Sequence, residues 1–306
     1  IDSQTIIDQY GAEILRLWVA SEDYTEDIRI SEEILKRLVE AYRRIRNTGR
    51  FILGNLYDFD PARDTVAYAE MAEMDRWILH RLQEVVRRVR EAYELYQFHV
   101  VYTTLYNFCT VDLSALYLDV LKDRLYTSKA TSVARRSAQT AMLAILEAMA
   151  RLLAPILTFT AEELWLALPA VPGKAESIHL TQLPEVNEAW LQPELAETWK
   201  TLISVKGEVA KAVEAARQGK VLGHSLDAAV VIGAPEKLRL LLESHREDLK
   251  ALLIVSELTV SATAPGGALA SDEIPGLSIG VTRARGEKCH RCWNFPISSS
   301  RSCGSS

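Results

Sequence analysis

Arg43, Arg44, Arg46 and Arg50 lie in one stretch whose apolar residues recur with helical spacing. Several guanidinium groups on one helix could neutralise phosphate groups. Two interpretations stay open from the pattern alone: a solvated basic face, or a phosphate-facing helix of a nucleic-acid-binding protein. The predicted apolar stripe, with steps of three, four or seven residues, consists of Ile34, Leu38, Tyr42, Ile45, Ile52 and Leu56.

A second chemical pattern is the C-x-x-C pair formed by Cys289 and Cys292. This spacing lets two thiolates take adjacent corners of a zinc tetrahedron, with Zn–S distances of ~2.3 Å. Because two ligands are half of a tetrahedron, the spacing alone also allows a redox pair or no role. Cys109 lies within an apolar helical run, and we expect it to be a small core residue.

Catalytic patterns are missing from the sequence. The six histidines are scattered, and there is no glycine-rich phosphate loop, no H-E-x-x-H and no G-x-S-x-G. His80 and His99 fall in helical stripes, where satisfied core or rim residues are the usual outcome. We therefore predict no catalytic residue.

Composition and charge set outer limits on the function. The chain has 306 residues, 48% of them hydrophobic and 25% charged, which is typical of a soluble globular protein with room for two domains. No apolar run approaches the ~18 residues of a membrane span, so we expect a cytoplasmic protein. The net charge of −6 counts mildly against nucleic acid, yet Lys36–Arg50 holds six basic residues and one acidic residue. Further basic runs lie at Arg76–Arg90 and Arg283–Arg291.

The apolar stripes predict a series of helices that can only be buried against one another. The first part of the chain is therefore expected to be an antiparallel helix bundle at 28–169, preceded by a joining segment at 1–27. Pro155 should end one helix, and Thr160 with Glu163 should form a capping box for the next. The predicted helices are Ile6–Trp18, Glu32–Leu56, Met74–Tyr96, Val101–Val120, one that begins within 127–132 and ends at Pro155, and a short one around Leu164.

Beyond the breakers Pro169, Pro172, Gly173 and Pro184 the pattern changes. The expected fold class is mainly α, with the bundle followed by a small α+β module at 170–285 and a short element at 286–306. Residues 262–270 are expected to form a mobile loop. The predicted elements of the module are a helix at 193–218, strands at 226–232, 254–260 and 277–282, and a helical stretch at 236–253.

Several sequence motifs of this chain match those of one family and occur in the same order along the chain. The chain resembles, over nearly its whole length, the C-terminal part of bacterial isoleucyl-tRNA synthetases. Glu13 departs from the usual aspartate. Valyl and leucyl enzymes share the bundle, but 107–119 and the K-C-x-R-C-W element favour the isoleucine enzyme. The stretches that carry the resemblance are 10–18, 42–56, 107–119, 122–126, 153–157 with Trp165, and 288–293.

The resemblance implies a tRNA-binding region of a ligase that activates isoleucine with ATP and Mg²⁺ and charges tRNA(Ile). Neither signature of its catalytic domain, His-Ile-Gly-His or Lys-Met-Ser-Lys-Ser, is present, so this chain alone is expected to be inactive. The implied partners are the anticodon stem-loop of tRNA(Ile) and the catalytic and editing domains of the same polypeptide, in a monomer. A helical scaffold for protein partners is the alternative.

The resemblance also assigns roles to the candidate residues. The helix with Arg43, Arg44, Arg46 and Arg50 should contact phosphates, while Arg291 and Trp293 should approach anticodon-loop bases, which can be splayed onto aromatic rings. Trp293 could instead cover a metal knuckle. In the family, Cys289 and Cys292 begin a zinc domain completed by a second C-x-x-C pair. Here the tail after Pro296 is unlike the family and holds only Cys303, so we expect a truncated chain with an incomplete zinc site.

Overall fold

The computed structural model describes residues 2–171, 173–290 and 292–295. They form two compact units, one containing the described residues of 2–121 and 130–192, the other those of 122–129 and 193–295. The first unit is helical, and the second combines helices with a four-stranded sheet. The predicted fold class, mainly α with a small α+β module, is confirmed.

The first unit begins with two short helices, α1 (Ser3–Tyr10) and α2 (Ala12–Ser21). One continuous helix was predicted here, but Gly11 adopts φ +90° and ψ 157°, which breaks the helix between them. Glycine reaches this conformation without the steric cost that a Cβ would bring. A single missing side chain therefore divides a continuous apolar stripe into two helices.

Helix α3 (Glu32–Asn55) is the longest helix of the first unit. The Ser31 side chain accepts a hydrogen bond from the amide of Ile34, and Glu32 and Glu33 occupy the first turn, as the helix dipole favours. The remaining helices of this part of the chain are α4 (Pro61–Asp64), α5 (Glu73–Glu94), α6 (Phe98–Asn107), a π-helix (Phe108–Tyr117), α7 (Leu118–Thr127), α8 (Val133–Leu153) and α9 (Thr158–Ala167).

The core of the first unit lies where α3, α5, α6, α8 and α9 pack on one another. Cys109 is fully buried there, and burial raises the pKa of its thiol to about 12. The predicted role of Cys109 as a core residue is confirmed. The largest fully buried apolar side chains of this unit include Ile45, Ile52, Ile78, Leu79, Leu82, Leu105 and Phe108.

A buried ionic network holds the loop after α3 against α8. Arg135 donates two hydrogen bonds to the carboxylate of Asp58, at 2.6 and 2.9 Å. Arg136 donates to the Asp58 carbonyl at 3.0 Å and lies 3.3 Å from the carboxylate of Asp64. Both arginines are less than a tenth exposed. These hydrogen bonds, first of all those from Arg135, lower the pKa of Asp58.

Residues 173–192, which the sequence pattern placed with the second module, lie in the first unit. The Glu162 carboxylate accepts hydrogen bonds from the Ile178 amide at 2.8 Å and the Ser177 hydroxyl at 3.1 Å. Farther along, Gln83 accepts from the amide of Asn187 at 2.7 Å. Breakers such as Pro184 mark the end of regular helix, but these polar contacts keep the irregular chain on the bundle.

The second unit contains α10 (Pro193–Gln218), α11 (Glu236–Ser244) and α12 (Arg246–Leu253). Its sheet has the order β2-β1-β4-β3, with β1 (Ala228–Gly233) parallel to β2 (Glu257–Ser261) and antiparallel to β4 (Ser278–Arg283). The two-residue strand β3 (Leu269–Ala270) was not predicted. Helices α10 and α12 pack together, and α10 packs against β4.

The segment between β2 and β3 was expected to be a mobile loop, and the structure shows part of it seated on the sheet. A Cβ on Gly233 would lie 2.3 Å from the backbone nitrogen of Ala264, and one on Gly280 would lie 2.9 Å from Cγ of Pro265. The bare glycines therefore provide the room in which this backbone lies. A glycine in the interior of a strand often marks such a close approach.

We expect Gly233→Ala to lower the free energy of unfolding of the second unit by roughly 1 to 3 kcal/mol, because backbone atoms must shift. Gly207 is the matched control, since it is exposed within α10 and has no atom within 4 Å of its would-be Cβ. Gly207→Ala should stabilise by up to about 1 kcal/mol through helix propensity. Urea unfolding of both variants measures the change in the free energy of unfolding. Equal changes in the two variants would contradict the close approach of the backbone to Gly233.

Candidate nucleic-acid interface

Three of the four predicted arginines share one side of α3. Successive helical residues are rotated by about 100°, so Arg43, Arg46 and Arg50 fall within a sector of about 60° that extends over ~10 Å of the helix. Together with α9 they form an open groove of about 520 Å³. The groove is lined by Tyr42, Arg43, Arg46, Asn47, Arg50 and Glu163.

Arg44 does not join this groove. Its position on the helix is about 100° to 160° away from the other three, and its side chain is exposed on another flank of α3. The neighbour on that flank is the π-helix, because the Thr48 hydroxyl lies 3.1 Å from the hydroxyl of Ser114. The four arginines are therefore a group of three and a separate one.

The ion pairs of these arginines differ. Arg46 lies 3.3 Å from the carboxylate of Glu163, and Arg43 lies 2.6 Å from that of Glu40. Within the described part of the chain, neither Arg44 nor Arg50 forms an ion pair with a carboxylate. Arg50 therefore presents a positive charge at the groove that is not neutralised by any carboxylate in the described part of the chain.

The basic run on α5 contrasts with α3. Arg90 lies 3.1 Å from Glu185 and also donates to the carbonyl of Pro184, so it fastens the 173–192 segment. Arg81 bridges Glu84 and Asp112. Arg87 and Arg88 pair with Glu188 and Glu91 at 3.3 and 3.8 Å. Arg81, Arg87 and Arg90 therefore join α5 to other elements, whereas Arg43, Arg46 and Arg50 all face one open groove.

The wall of the groove opposite α3 is α9, and its position is fixed by contacts that the sequence did not suggest. No side chain caps α9 locally, and the Glu13 carboxylate instead accepts a hydrogen bond from the amide of Phe159 at 3.0 Å. The predicted capping box is therefore wrong: Thr160 bonds the Tyr42 hydroxyl at 2.9 Å, and Glu163 pairs with Arg46. Burial of the Glu13 carboxyl raises its pKa.

Helices α3 and α9 also approach closely at Gly49. A Cβ at this position would lie 2.8 Å from Cδ2 of Leu164. The absence of a side chain at Gly49 thus brings α9, and with it Glu163, near the arginines of α3.

In the second unit, the predicted base-contacting residue Trp293 lies on a tight turn. Its amide donates to the carbonyl of Cys289 at 3.0 Å, and the amide of Cys289 donates to the carbonyl of Asn294 at 2.8 Å. The Trp293 side chain is 56% exposed, and Lys288 Nζ lies 5.4 Å from its ring centroid. The ring is therefore accessible to a partner. Arg291 lies outside the described residues.

The same turn carries both cysteines of the C-x-x-C pair, and each is partly exposed. Zinc in a structural site needs four ligands. The part of the chain that the structure describes contains no group of three or more His, Cys, Asp or Glu residues placed to hold a metal. Whether Cys289 and Cys292 bind zinc therefore stays a prediction, and Cys303 lies outside the described residues.

The two histidines of the helical stripes have structural positions. His80 is buried on α5, and its Nδ1 accepts a hydrogen bond from the amide of Gln192 at 2.8 Å. His99 lies 4.0 Å from the carboxylate of Asp23.

Among the helices that the structure describes, none is long and apolar enough to cross a membrane.

Curated proteins similar to this chain are isoleucine–tRNA ligases. The one from Syntrophotalea carbinolica is 50% identical over 296 residues, which are 96% of this chain and 32% of that relative. Those from Geobacter sulfurreducens and Moorella thermoacetica are each 48% identical, over 95% and 96% of this chain and 31% and 32% of the relatives. The chain therefore spans about a third of the length of the curated relatives that it matches.

A solved structure, the ternary complex of Agrobacterium radiobacter K84 agnB2 LeuRS with tRNA and LeuAMS, is a distant likeness. It is 18% identical, covers 63% of this chain and 22% of its own, and has a TM-score of 0.47, too low to support an argument.

The resemblance to isoleucyl-tRNA synthetases is confirmed by the curated relatives. The family described as the anticodon-binding domain of tRNA ligase matches residues 75–232, slightly more than half of the chain. The chain therefore belongs to the anticodon-binding domain family of tRNA ligases.

Proposed function

We propose that this chain is the tRNA-binding region of an isoleucine–tRNA ligase and that the α3 groove holds the backbone of the anticodon stem-loop. The observation that carries this proposal is the convergence of Arg43, Arg46 and Arg50 on one open groove. Arg81, Arg87 and Arg90 of α5 act instead as cross-links to other elements, so the α3 cluster stands out by its position on an open groove as well as by its charge.

The groove suits a single run of phosphates. Three guanidinium groups over ~10 Å of helix can each donate charge-assisted hydrogen bonds to phosphate oxygens. Arg50 enters such a contact without first leaving an ion pair with a described residue. Backbone contacts of this kind fix the register of the RNA and carry no sequence information directly.

Discrimination between anticodons then belongs to the second unit. The exposed ring of Trp293 offers a stacking surface for an unpaired loop base, with Arg291 beside it in the sequence. In the full-length protein, Cys289 and Cys292 would be two of the four ligands of a zinc ion that stabilises this turn. The described residues do not complete such a site.

The activity of the whole protein is part of the same proposal. The curated relatives carry the name isoleucine–tRNA ligase, and ATP, Mg²⁺ and isoleucine would be used by catalytic and editing domains outside this chain. The chain would then act in the cytoplasm as one part of a monomeric enzyme. Alone it would bind tRNA without charging it.

A filter-binding titration tests the binding function. The chain should retain tRNA(Ile) more tightly than the same tRNA with a swapped anticodon, and both affinities should fall steeply as salt rises. A helical scaffold for protein partners would show no salt-sensitive retention of either RNA.

Trp293→Ala should cost roughly 1 to 3 kcal/mol of binding free energy on tRNA(Ile) if a loop base stacks on the ring. The salt slope should change little, because stacking releases no counterions. Tyr24→Ala is the matched control, since Tyr24 is 55% exposed and Trp293 is 56% exposed. Both variants should be made in this chain and in a longer chain that carries the second cysteine pair. A silent Trp293→Ala in the longer chain would make the ring a structural cover.

A further inference from the structure

The α3 groove contains one carboxylate among its six described lining residues, that of Glu163 on α9. Its Oε2 atom lies 3.3 Å from Nη2 of Arg46. A surface that binds a polyanion is thus lined by three guanidinium groups and one group of the same charge sign as its ligand. The carboxylate thus pairs with one nitrogen of Arg46 that a phosphate could use.

The fold has little need of this ion pair. The side chains of Arg46 and Glu163 are 38% and 67% exposed, and exposed pairs contribute little to stability because water and salt screen them. The adjacent Glu162 is different, since its carboxylate binds the Ile178 amide and the Ser177 hydroxyl. The two neighbouring glutamates of α9 therefore differ: Glu162 holds the 173–192 segment on the bundle, whereas Glu163 lines the groove.

We propose that Glu163 competes with RNA phosphates for Arg46 and so keeps the affinity of the groove for any RNA backbone below what its arginines alone would give. This inference rests on the proposed function. A phosphate that binds Arg46 through Nη2 must displace the carboxylate, and one that binds the other donors of Arg46 must approach a group of its own charge sign.

This competition affects specificity indirectly. The repulsion depends on charge and not on base sequence, so it weakens cognate and non-cognate RNA by the same factor. With a weaker hold on the backbone, stable binding requires the additional base contacts that only the cognate anticodon provides.

Glu163→Gln tests the proposal because glutamine keeps the size and the hydrogen-bonding capacity and removes the charge. We expect the affinity for tRNA(Ile) and for the anticodon-swapped tRNA to rise together by roughly two- to fivefold, most strongly at low salt. Glu188→Gln is the matched control. Glu188 lies 3.3 Å from Arg87, the same distance as in the Arg46 pair, is also exposed, and lies outside the groove. It should change affinity much less.

Three further measurements make the result decisive. In an Arg46→Ala background, Glu163→Gln should lose most of its effect, since the competition acts through Arg46. Retention on immobilised heparin needs no tRNA, and Glu163→Gln should elute at higher salt than Glu188→Gln. Thermal melting of the variants should match that of the original chain.

The proposal is overturned if Glu163→Gln and Glu188→Gln change affinity equally, if the gain survives Arg46→Ala intact, or if heparin elution is unchanged. A failure of the proposed function looks different. In that case the original chain binds neither tRNA, and the heparin measurement alone decides whether Glu163 competes for Arg46.

Discussion

Replacing Asp58 with alanine is expected to lower the free energy of unfolding by about 3 kcal/mol. Asp58 accepts two hydrogen bonds from Arg135 and one from Gln139, and Arg136 lies 3.5 Å from it. Without the Asp58 carboxylate, the buried guanidinium of Arg135 loses this counter-charge, while Arg136 keeps its pair with Asp64. Because an uncompensated buried charge is costly, the melting temperature should fall by roughly 6 to 12 °C.

The control for this change is Glu40→Ala, which removes the carboxylate of an exposed pair on α3. It should alter stability by less than about 1 kcal/mol. The pH dependence supplies a second test, because the folded state lowers the pKa of Asp58 below the ordinary 3.8. Its contribution should therefore be complete above that pH and be lost as the pH falls through the folded-state pKa. Equal losses from Asp58→Ala and Glu40→Ala, or a difference that grows in acid, would contradict the network.

Replacing Arg43, Arg46 and Arg50 together with alanine is expected to have the largest effect on RNA binding. At about 1.5 kcal/mol for each guanidinium–phosphate pair, three pairs contribute about 4.5 kcal/mol, roughly a thousandfold in affinity. The slope of log affinity against log salt should also fall by roughly 0.7 to 0.9 for each phosphate that the protein no longer neutralises. The ratio between cognate and anticodon-swapped tRNA should survive, because backbone contacts position the RNA without discriminating sequence.

The control triple, Lys36→Ala with Arg37→Ala and Arg88→Ala, removes the same charge from exposed helix surface. Each of these three residues pairs with a glutamate three or four positions away on its own helix, outside the groove. A general effect of net charge would weaken both triples alike. The assignment of phosphate binding to the groove is supported only if the triple variant of Arg43, Arg46 and Arg50 binds tRNA much more weakly than this control variant.

The helices were predictable because their apolar stripes bury the faces that periodicity indicates. The predicted helix at 193–218 coincides with α10 (Pro193–Gln218). The division between α1 and α2 was missed, although Gly11 was a visible signal for it. The π-helix Phe108–Tyr117 was missed for a different reason: its apolar residues continue the stripe of α6, and the change of winding leaves no mark in composition.

The candidate interface was predictable only in part. The arginines of α3 were found because they are neighbours in sequence, and helical rotation alone could have separated Arg44 from the other three. The contacts of Glu163 and Glu13 could not be predicted from motifs of neighbouring residues in the sequence. Glu163 reaches Arg46 across 117 positions, and Glu13 reaches the start of α9 across 146 positions. Such contacts arise from tertiary packing, here from the close approach of α9 to Gly49.

The most direct test of the central claim is a titration of this chain with two hairpin RNAs from tRNA(Ile), one carrying the anticodon stem-loop and one carrying the acceptor arm. The anticodon hairpin should bind more tightly, with a salt slope of at least about 2 in magnitude, as three neutralised phosphates require. That slope should collapse in the Arg43, Arg46 and Arg50 triple variant. Equal binding of the two hairpins, or a slope that the triple variant leaves unchanged, would contradict the assignment of the α3 groove to the anticodon stem-loop.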